Sequence, residues 1–312
     1  MKMTFTTSVK EEIAKQFVEP VSSLTLLSSF IRYDAIIKKN QITLVMENAS
    51  VARLIYKLIK STFNISPKII VRIQRRFRIK QIYILELNES VTSILEILNI
   101  FKDGKKTQPD SYFLSTHEDQ IAYLKGLFLS CGSISNPQTS GYHLEFVLNT
   151  KKDADYIHKL LVDLYFPSKV LKRSNKYMVY IKAAEMISDI LKLFNATNSM
   201  FFFEDIRIYR DHKNMVNRLN NCEIANQEKT IETGLKQIED IKYIKEHDLI
   251  NLLDERIQDV ISYREKYPET SFQELASIVS TESGVPITKS GINHYFRKIR
   301  ELVNRNQNKN GL

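Results

Sequence analysis

The sequence predicts an α+β protein in three parts: a two-copy α/β domain, a helical connector and an all-α helix-turn-helix domain. The first 200 residues repeat one order of helices and hairpins, the next stretch is charged, amide-rich and low in Gly and Pro, and the last part is basic and contains two short helices. The predicted parts are 1–200, with repeats at about 20–105 and 118–200, then the connector at 201–244, the helix-turn-helix domain at 245–305 and a polar tail at 306–312.

The two copies of the first domain correspond element by element. In each copy a helix is followed by two strands, a second helix, a hairpin and a third helix, and the six predicted helices are 27–34, 52–63, 91–100, 124–131, 153–165 and 184–194. Three pairs of apolar residues recur at a nearly constant spacing: Phe30 and Leu127, Ile55 and Ile157, Leu98 and Phe194. Such self-similarity predicts two copies of one structural unit.

The last 70 residues contain the signals of a DNA-reading motif. Ser271 and Glu274 form a capping box that begins one helix, and a supporting helix carries Ile257, Val260, Ile261 and Arg264 before Pro268. In the last helix Ile292, Phe296, Ile299 and Val303 recur at helical spacing and predict a buried stripe. The segment from Pro286 to Leu312 contains six Lys or Arg residues and one acid, so its local net charge is +5. The segment therefore predicts a helix-turn-helix unit whose last helix enters the major groove.

Candidate DNA contacts lie on the exposed side of that helix. Asn pairs well with adenine and Arg with guanine, and basic side chains meet phosphates. The candidates are Lys289, Ser290, Asn293, His294, Arg297, Lys298 and Arg300. The alternative interpretation is a solvated basic helix at the end of an ordinary domain.

Basic residues also alternate with apolar ones in the predicted sheets. Alternation places Arg72, Arg76 and Arg78 on one side of a strand, with a weaker counterpart at Lys172 and Arg173 in the second copy. We expect a strongly positive sheet face that contacts the DNA backbone. The alternatives are a face kept soluble by its charges or an edge protected against strand addition.

The composition favours a polyanionic partner and excludes several classes of site. The formal net charge is +9 and the pI is near 9.2, while no apolar run is long enough to span a bilayer. Cys131 and Cys222 are far apart and have no His or Cys at metal-ligand spacing, which argues against a disulfide framework or a zinc site. The six histidines are scattered, and no phosphate-binding loop or nucleophile motif is present. We expect no cofactor, no metal and a cytoplasmic, nucleoid-associated protein.

Two resemblances follow from particular residues. The segment Leu124–Ser133 resembles the helix that gives LAGLIDADG homing endonucleases their name. Nearly the whole chain resembles the WhiA family of bacterial sporulation and cell-division regulators, through Tyr123–Gly126, Glu204–Arg207, Val216–Asn226 and Ser290–His294. The resemblance implies an endonuclease-like N-terminal domain and a DNA-binding C-terminal domain in a transcription regulator of cell division and chromosome segregation. It implies double-stranded DNA as partner, with other transcription or cell-division proteins as further candidates and the oligomeric state open.

The second function considered is a metal-dependent DNA endonuclease or nickase. In the endonucleases the last acid of each LAGLIDADG helix binds metal, and this chain has Asp34 and Cys131 at those positions. A thiol is a poor ligand for Mg²⁺, which prefers oxygen. We therefore expect no catalytic residues, although the alternative stays open because Asp34 is present. A third possibility is an architectural or RNA-binding protein that uses the basic sheet.

Overall fold

A computed structural model describes residues 4–74, 80–139 and 141–309, which divide into the units Met1–Arg210 and Asp211–Leu312. The helices of the first unit are α1 Phe5–Ala14, α2 Pro20–Asp34, α3 Ala49–Phe63, α4 Val91–Ile97, α5 His117–Cys131, α6 Lys151–Asp163 and α7 Ala184–Leu193. Its strands are β1 Ile36–Lys38, β2 Gln41–Met46, β3 Lys68–Gln74, β4 Lys80–Leu87, β5 Phe101–Lys102, β6 Lys105–Lys106, β7 Gly132–Ile134, β8 Leu144–Leu148, β9 Lys169–Arg173 and β10 Lys176–Ile181.

The predicted internal repeat is confirmed by the sheet topology. One antiparallel sheet has the strand order β1-β2-β4-β3 and the other has the order β7-β8-β10-β9, so each strand of the first four-stranded sheet has its equivalent in the second, while β5 and β6 form a separate two-stranded sheet. In both copies the helix between the two hairpins begins at a side-chain cap, Asn48 for α3 and Thr150 for α6. These caps place both helix starts a few residues before the predicted ones, because the apolar periodicity begins only inside the helix.

The first helices of the two copies, α2 and α5, pack closely along their length. Gly126 on α5 lies against Ser29 and the Leu26 carbonyl of α2, so that even a methyl group at Gly126 would overlap them. Ser28 and Ser29 are fully buried, and the Ser28 hydroxyl donates to the Leu98 carbonyl at 2.5 Å. Small residues thus let the two backbones approach, and apolar residues of both copies form one continuous core.

The second unit is a helical bundle built on the end of a long helix. Helix α8 runs from Thr197 to Glu246, which includes the connector predicted at 201–244, and it is followed by the 3₁₀ turn Ile250–Leu252 and by α9 Glu255–Lys266, α10 Phe272–Ser283 and α11 Lys289–Lys309. Residues of α8, α9, α10 and α11 share a separate apolar core. Among the described residues, no helix combines the length and the apolar character needed to cross a membrane.

The C-terminal stretch predicted as a polar tail is partly helical. Helix α11 continues to Lys309, and the Tyr243 hydroxyl of α8 donates to the Asn306 side chain at 3.1 Å. A polar composition alone did not reveal this contact, because its partner lies far away in the sequence. The limits predicted for the separate parts stay a prediction.

Candidate nucleic-acid interface

Helices α9, α10 and α11 enclose the core that the sequence predicted. All four residues of the α11 stripe, together with Ile257, Val260 and Ile261 of α9, are at most 5% exposed. Arg264 is also buried, with its guanidinium over the rings of Phe272 and Phe296 at 5.8 and 5.5 Å. One of its nitrogens donates to the Thr270 carbonyl at 2.7 Å, which anchors the chain just before α10. This arginine is therefore a core residue that orients the start of α10.

Short polar contacts fix the start of α10 and the turn that joins α10 to α11. The predicted capping box is present, since the Ser271 hydroxyl accepts from the Glu274 amide and the Glu274 carboxylate accepts from the Ser271 amide. Helix α10 ends at Ser283 and is followed by Gly284, whose φ of +72° is a left-handed conformation that favours glycine. The Ile287 amide donates to the Ser280 hydroxyl at 2.9 Å, which ties the turn back onto α10. The Gly284 conformation and the Ser280 contact thus fix the chain that leads into α11.

The candidate DNA contacts lie on the exposed side of α11, where Lys289, Ser290 and Asn293 occupy the first two turns. Arg297 is exposed as well, and it donates to Nδ1 of His294 at 2.9 Å. These side chains lie opposite the buried stripe, so the helix presents a polar, cationic surface while its other side is held by the core. Whether each residue contacts DNA stays a prediction.

Two of the candidates are engaged within the second unit. Nη1 of Arg300 donates to both carboxylate oxygens of Asp240 on α8, at 2.7 and 2.9 Å, and this ion pair raises the pKa of Arg300. Lys298 Nζ lies 3.7 Å from an Asp254 carboxylate oxygen. The Arg300 guanidinium has to leave its pair to reach a phosphate or a base. The sequence contained no signal for the contact between Arg300 and Asp240, because these two residues are 60 positions apart.

The residues predicted to contact the DNA backbone do not all lie on the same side of their sheets. In the first sheet, cross-strand pairing places Arg72 opposite Ile82, on the side away from the buried Leu44, Leu85 and Leu87, and Arg72 is exposed there. We call this the outer side. Its described part also carries Ile70, Ile84 and the ion pair of Lys68 with Glu86 at 3.9 Å, so apolar and acidic groups lie among the cations there, and phosphate contact by this side stays a prediction. Alternation along one strand reveals nothing about the neighbouring strand. Arg76 and Arg78 lie outside the described residues.

In the second sheet the two candidates are neighbours on β9 and point in opposite directions. Lys172 pairs with Tyr177 on the helix-facing side, and its ammonium lies 6.0 Å from the centre of the Tyr177 ring. Arg173 pairs with Lys176 on the outer side, where both residues are exposed. They therefore do not form one cationic face together. Of these two candidates, Arg173 lies on the outer side of its sheet, as Arg72 does in the first sheet.

The ends of α2 and α5 bring Asp34 and Cys131 to one place, together with Lys10 of α1. Burial raises the pKa of the Asp34 carboxyl to about 6, while the Lys10 charge and the Val45 amide oppose this shift. Burial also raises the pKa of the Cys131 thiol to about 11. Lys10 Nζ donates to the Ser130 carbonyl at 3.5 Å, and burial lowers the pKa of this lysine. A lysine ammonium thus lies beside the two helix ends, a feature that the sequence analysis missed.

Comparison with known proteins identifies the family. Models of the WhiA N-terminal LAGLIDADG-like domain, the WhiA LAGLIDADG-like domain and the WhiA C-terminal helix-turn-helix domain match residues 21–101, 120–213 and 216–303. The probable cell division protein WhiA of Staphylococcus aureus (strain USA300) is 38% identical over 311 residues, which are 98% of either chain. The chain belongs to the WhiA family.

The fold is shared with solved WhiA structures. The full-length WhiA crystal structure from Thermatoga maritima superposes with a TM-score of 0.55 at 23% identity, covering 97% of this chain and 98% of that one. A structure of the N-terminal LAGLIDADG domain of WhiA gives a TM-score of 0.50 at 23% identity, covering 62% of this chain and 91% of the other. The resemblance predicted from the sequence is therefore confirmed for the family and for the fold.

The WhiA assignment also locates the two candidate regions within the family's domains. The exposed side of α11 lies in the part matched by the helix-turn-helix domain, and Asp34 and Cys131 lie in the parts matched by the two LAGLIDADG-like domains. Among the described residues, no group of three or more His, Cys, Asp or Glu side chains is placed to hold a metal ion. In this WhiA protein the side chain next to Asp34 and Cys131 is a cation.

Proposed function

We propose that this WhiA protein is a sequence-specific DNA-binding transcription regulator that acts in cell division and chromosome segregation, and that it is not an enzyme. The observation that carries the proposal is the start of α11, where Lys289, Ser290 and Asn293 are exposed on a helix whose opposite side is buried. The helix-turn-helix family match and the cell-division name of the relative in Staphylococcus aureus support it. Double-stranded DNA is the proposed partner, and the proposed location is the nucleoid.

In this proposal the start of α11 supplies specificity, while exposed cations on the outer sides of the sheets supply general affinity. A well-placed contact with a base edge contributes about 1–3 kcal/mol of discrimination between sites, whereas a phosphate contact adds affinity that does not depend on sequence. Asn293 and Arg297 are the proposed base contacts. Arg72 and Arg173 are the proposed phosphate contacts.

The test compares two asparagines of α11. Protected sites are first found by footprinting on genomic DNA, and binding to a protected site and to random DNA is then titrated for Asn293→Ala and for the matched control Asn304→Ala. Both asparagines are exposed, but Asn304 lies three turns further along the helix, away from the turn. We expect Asn293→Ala to weaken binding only at the protected site, by about ten-fold or more, and Asn304→Ala to change neither. Equal losses for the two variants contradict the assignment.

The proposal that WhiA does not cut DNA rests on the chemistry at the two helix ends. Hydrolysis by a shared metal needs oxygen ligands from both copies, and the second copy offers the Cys131 thiol, whose raised pKa keeps it protonated. The neighbouring Lys10 ammonium repels a divalent cation. Supercoiled plasmid with a footprinted site should stay intact with Mg²⁺ or Mn²⁺. Nicking that co-purifies with the protein and disappears in Asp34→Ala supports the endonuclease alternative instead.

A further inference from the structure

The first unit contains a cavity of about 870 Å³ whose walls include the first halves of α2 and α5. Asp34 and Cys131 are the last residues of these two helices, so the cavity lies at the opposite end of the helix pair. Further wall residues come from the end of α1, from α7 and from the segment between α6 and β9. The volume lies within the range of small-molecule sites in proteins, which is about 300–1,000 Å³.

The walls of this cavity are largely apolar. Leu26, Leu164 and Phe166 contribute buried side chains, while Phe17 and Tyr165 also line it although they are 86% and 89% exposed. A ligand with an apolar body that covers these two rings removes their surface from water, which favours binding. Two aromatic residues of such exposure that line one cavity offer apolar surface to a ligand.

The wall of the cavity contains a partly buried ammonium, that of Lys125. Lys125 of α5 is partly buried, and burial lowers its pKa. Its Nζ donates to Oε1 of Gln16 at 3.1 Å, and no carboxylate oxygen of the described residues lies within 4 Å of it. The Gln16 amide nitrogen donates to the Phe194 and Asn195 carbonyls at 2.9 Å each, which fixes Oε1 towards the lysine. A shielded ammonium with one neutral acceptor is suited to an anionic group.

The rim limits the charge that the ligand can carry. Glu19, Glu118 and Asp189 also line the cavity and are exposed, so they repel an anion of high charge. We propose that this cavity binds a small amphipathic monocarboxylate, with the carboxylate on Lys125 and the apolar chain against Leu164 and Phe166. The site is independent of the DNA-binding function.

The chain contains no tryptophan, so a single Phe17→Trp replacement provides a fluorescent reporter at the cavity. The probe is decanoate, titrated into the full-length protein, with decanol and ATP as comparison ligands and calorimetry on the unmodified protein as a check. We expect saturable decanoate binding about ten-fold or more tighter than that of decanol, because only decanoate meets the ammonium, and no binding of ATP. Decanol binding as tightly as decanoate, ATP binding in the cavity, or no saturable signal overturns the proposal.

The role of Lys125 is tested against a second lysine that lines the same cavity. Lys125→Met should weaken decanoate binding about ten-fold or more and leave decanol binding unchanged, whereas the exposed Lys192→Met should stay within about two-fold of the parent. Equal losses in both variants indicate general surface attraction and overturn the site. If Lys125→Met does not fold, Ser22→Leu decides: it fills part of the cavity from α2 and should abolish saturation with an unchanged circular dichroism spectrum. Unaltered binding in Ser22→Leu contradicts the proposal.

Discussion

Arg297 and Arg300 lie one turn apart on α11, and the structure predicts opposite consequences for their removal. Within the described part of the chain Arg297 hydrogen-bonds to His294 on its own helix, whereas Arg300 donates to the Asp240 carboxylate of α8. The Asp240 side chain is 12% exposed and the Arg300 side chain 54% exposed. We therefore expect Arg300→Ala to act on stability and Arg297→Ala to act on DNA binding.

The magnitude follows from the exposure of the two partners. Fully exposed ion pairs contribute about 0–1 kcal/mol, while a charged hydrogen bond that leaves a shielded carboxylate unpaired costs about 1.5–3 kcal/mol when broken. Because the guanidinium is half exposed and water screens the pair, we expect Arg300→Ala to lower the local free energy of opening of α11 by about 1–2 kcal/mol. For Arg297→Ala the expected loss is below about 0.5 kcal/mol.

Native-state hydrogen exchange of α11 amides measures this local free energy, and titration with a footprinted site and with random DNA measures specificity. Arg300→Ala should speed the exchange of α11 amides and leave unchanged the ratio of the affinity for the footprinted site to the affinity for random DNA. Arg297→Ala should lower that ratio about ten-fold or more and leave exchange unchanged. In the Asp240→Ala background Arg300→Ala should cost little, since its partner is already absent. If Arg300→Ala instead lowers the affinity ratio without faster exchange, the assignment of Arg300 to the α8 contact is refuted.

Three further predictions concern the first unit. Arg173→Gln should reduce the slope of log DNA affinity against log salt concentration by about 0.9. The matched control Lys172→Gln, on the other side of β9, should leave the slope unchanged, and filter binding over a salt series measures both. Gly126→Ala should lower the free energy of unfolding by about 1–3 kcal/mol in urea denaturation because its methyl group overlaps α2, whereas Gly141→Ala, with open space around it, should be neutral; equal effects contradict the close helix contact. The raised pKa of Asp34, about 6, means that the folded state binds the proton more tightly, so this group weakens folding as pH rises from about 4 through 6. The free energy of unfolding of Asp34→Asn should therefore rise by about 2–3 kcal/mol, relative to that of the parent, between pH 4 and pH 7.5. A difference between the two proteins that does not change with pH contradicts the raised pKa.

The features that were predictable from the sequence depend on residues close together in the chain. The capping box at Ser271 and the stripe from Ile292 to Val303 were predictable because capping and helical spacing act over a few residues. The repeat was predictable because both copies keep the same order of elements, and it placed Asp34 and Cys131 at equivalent helix ends.

The features that were missed depend on contacts between distant residues. Lys10 lies beside Asp34 and Cys131 only because α1 packs against the repeat, and the Arg300 contact needs α8 to pass next to α11. The composition of the outer side of the sheet likewise depends on which strand pairs with β3. No local pattern contains this information, since it arises when the core forms.

The position of Lys10 has a consequence for substitutions at the two helix ends. A divalent ion exchanges with solvent and can be removed by a chelator, but an ammonium on α1 is tethered to the chain and stays beside Asp34 whatever ions the solution contains. Replacing Cys131 with an acid therefore does not by itself create a pair of carboxylates that is free for a metal ion, because the new carboxylate meets a resident cation and pairs with it. A free pair requires a second change that removes the lysine or displaces α1. The helix that contributes Lys10 thus couples the electrostatics of the two helix ends to the packing of a third element.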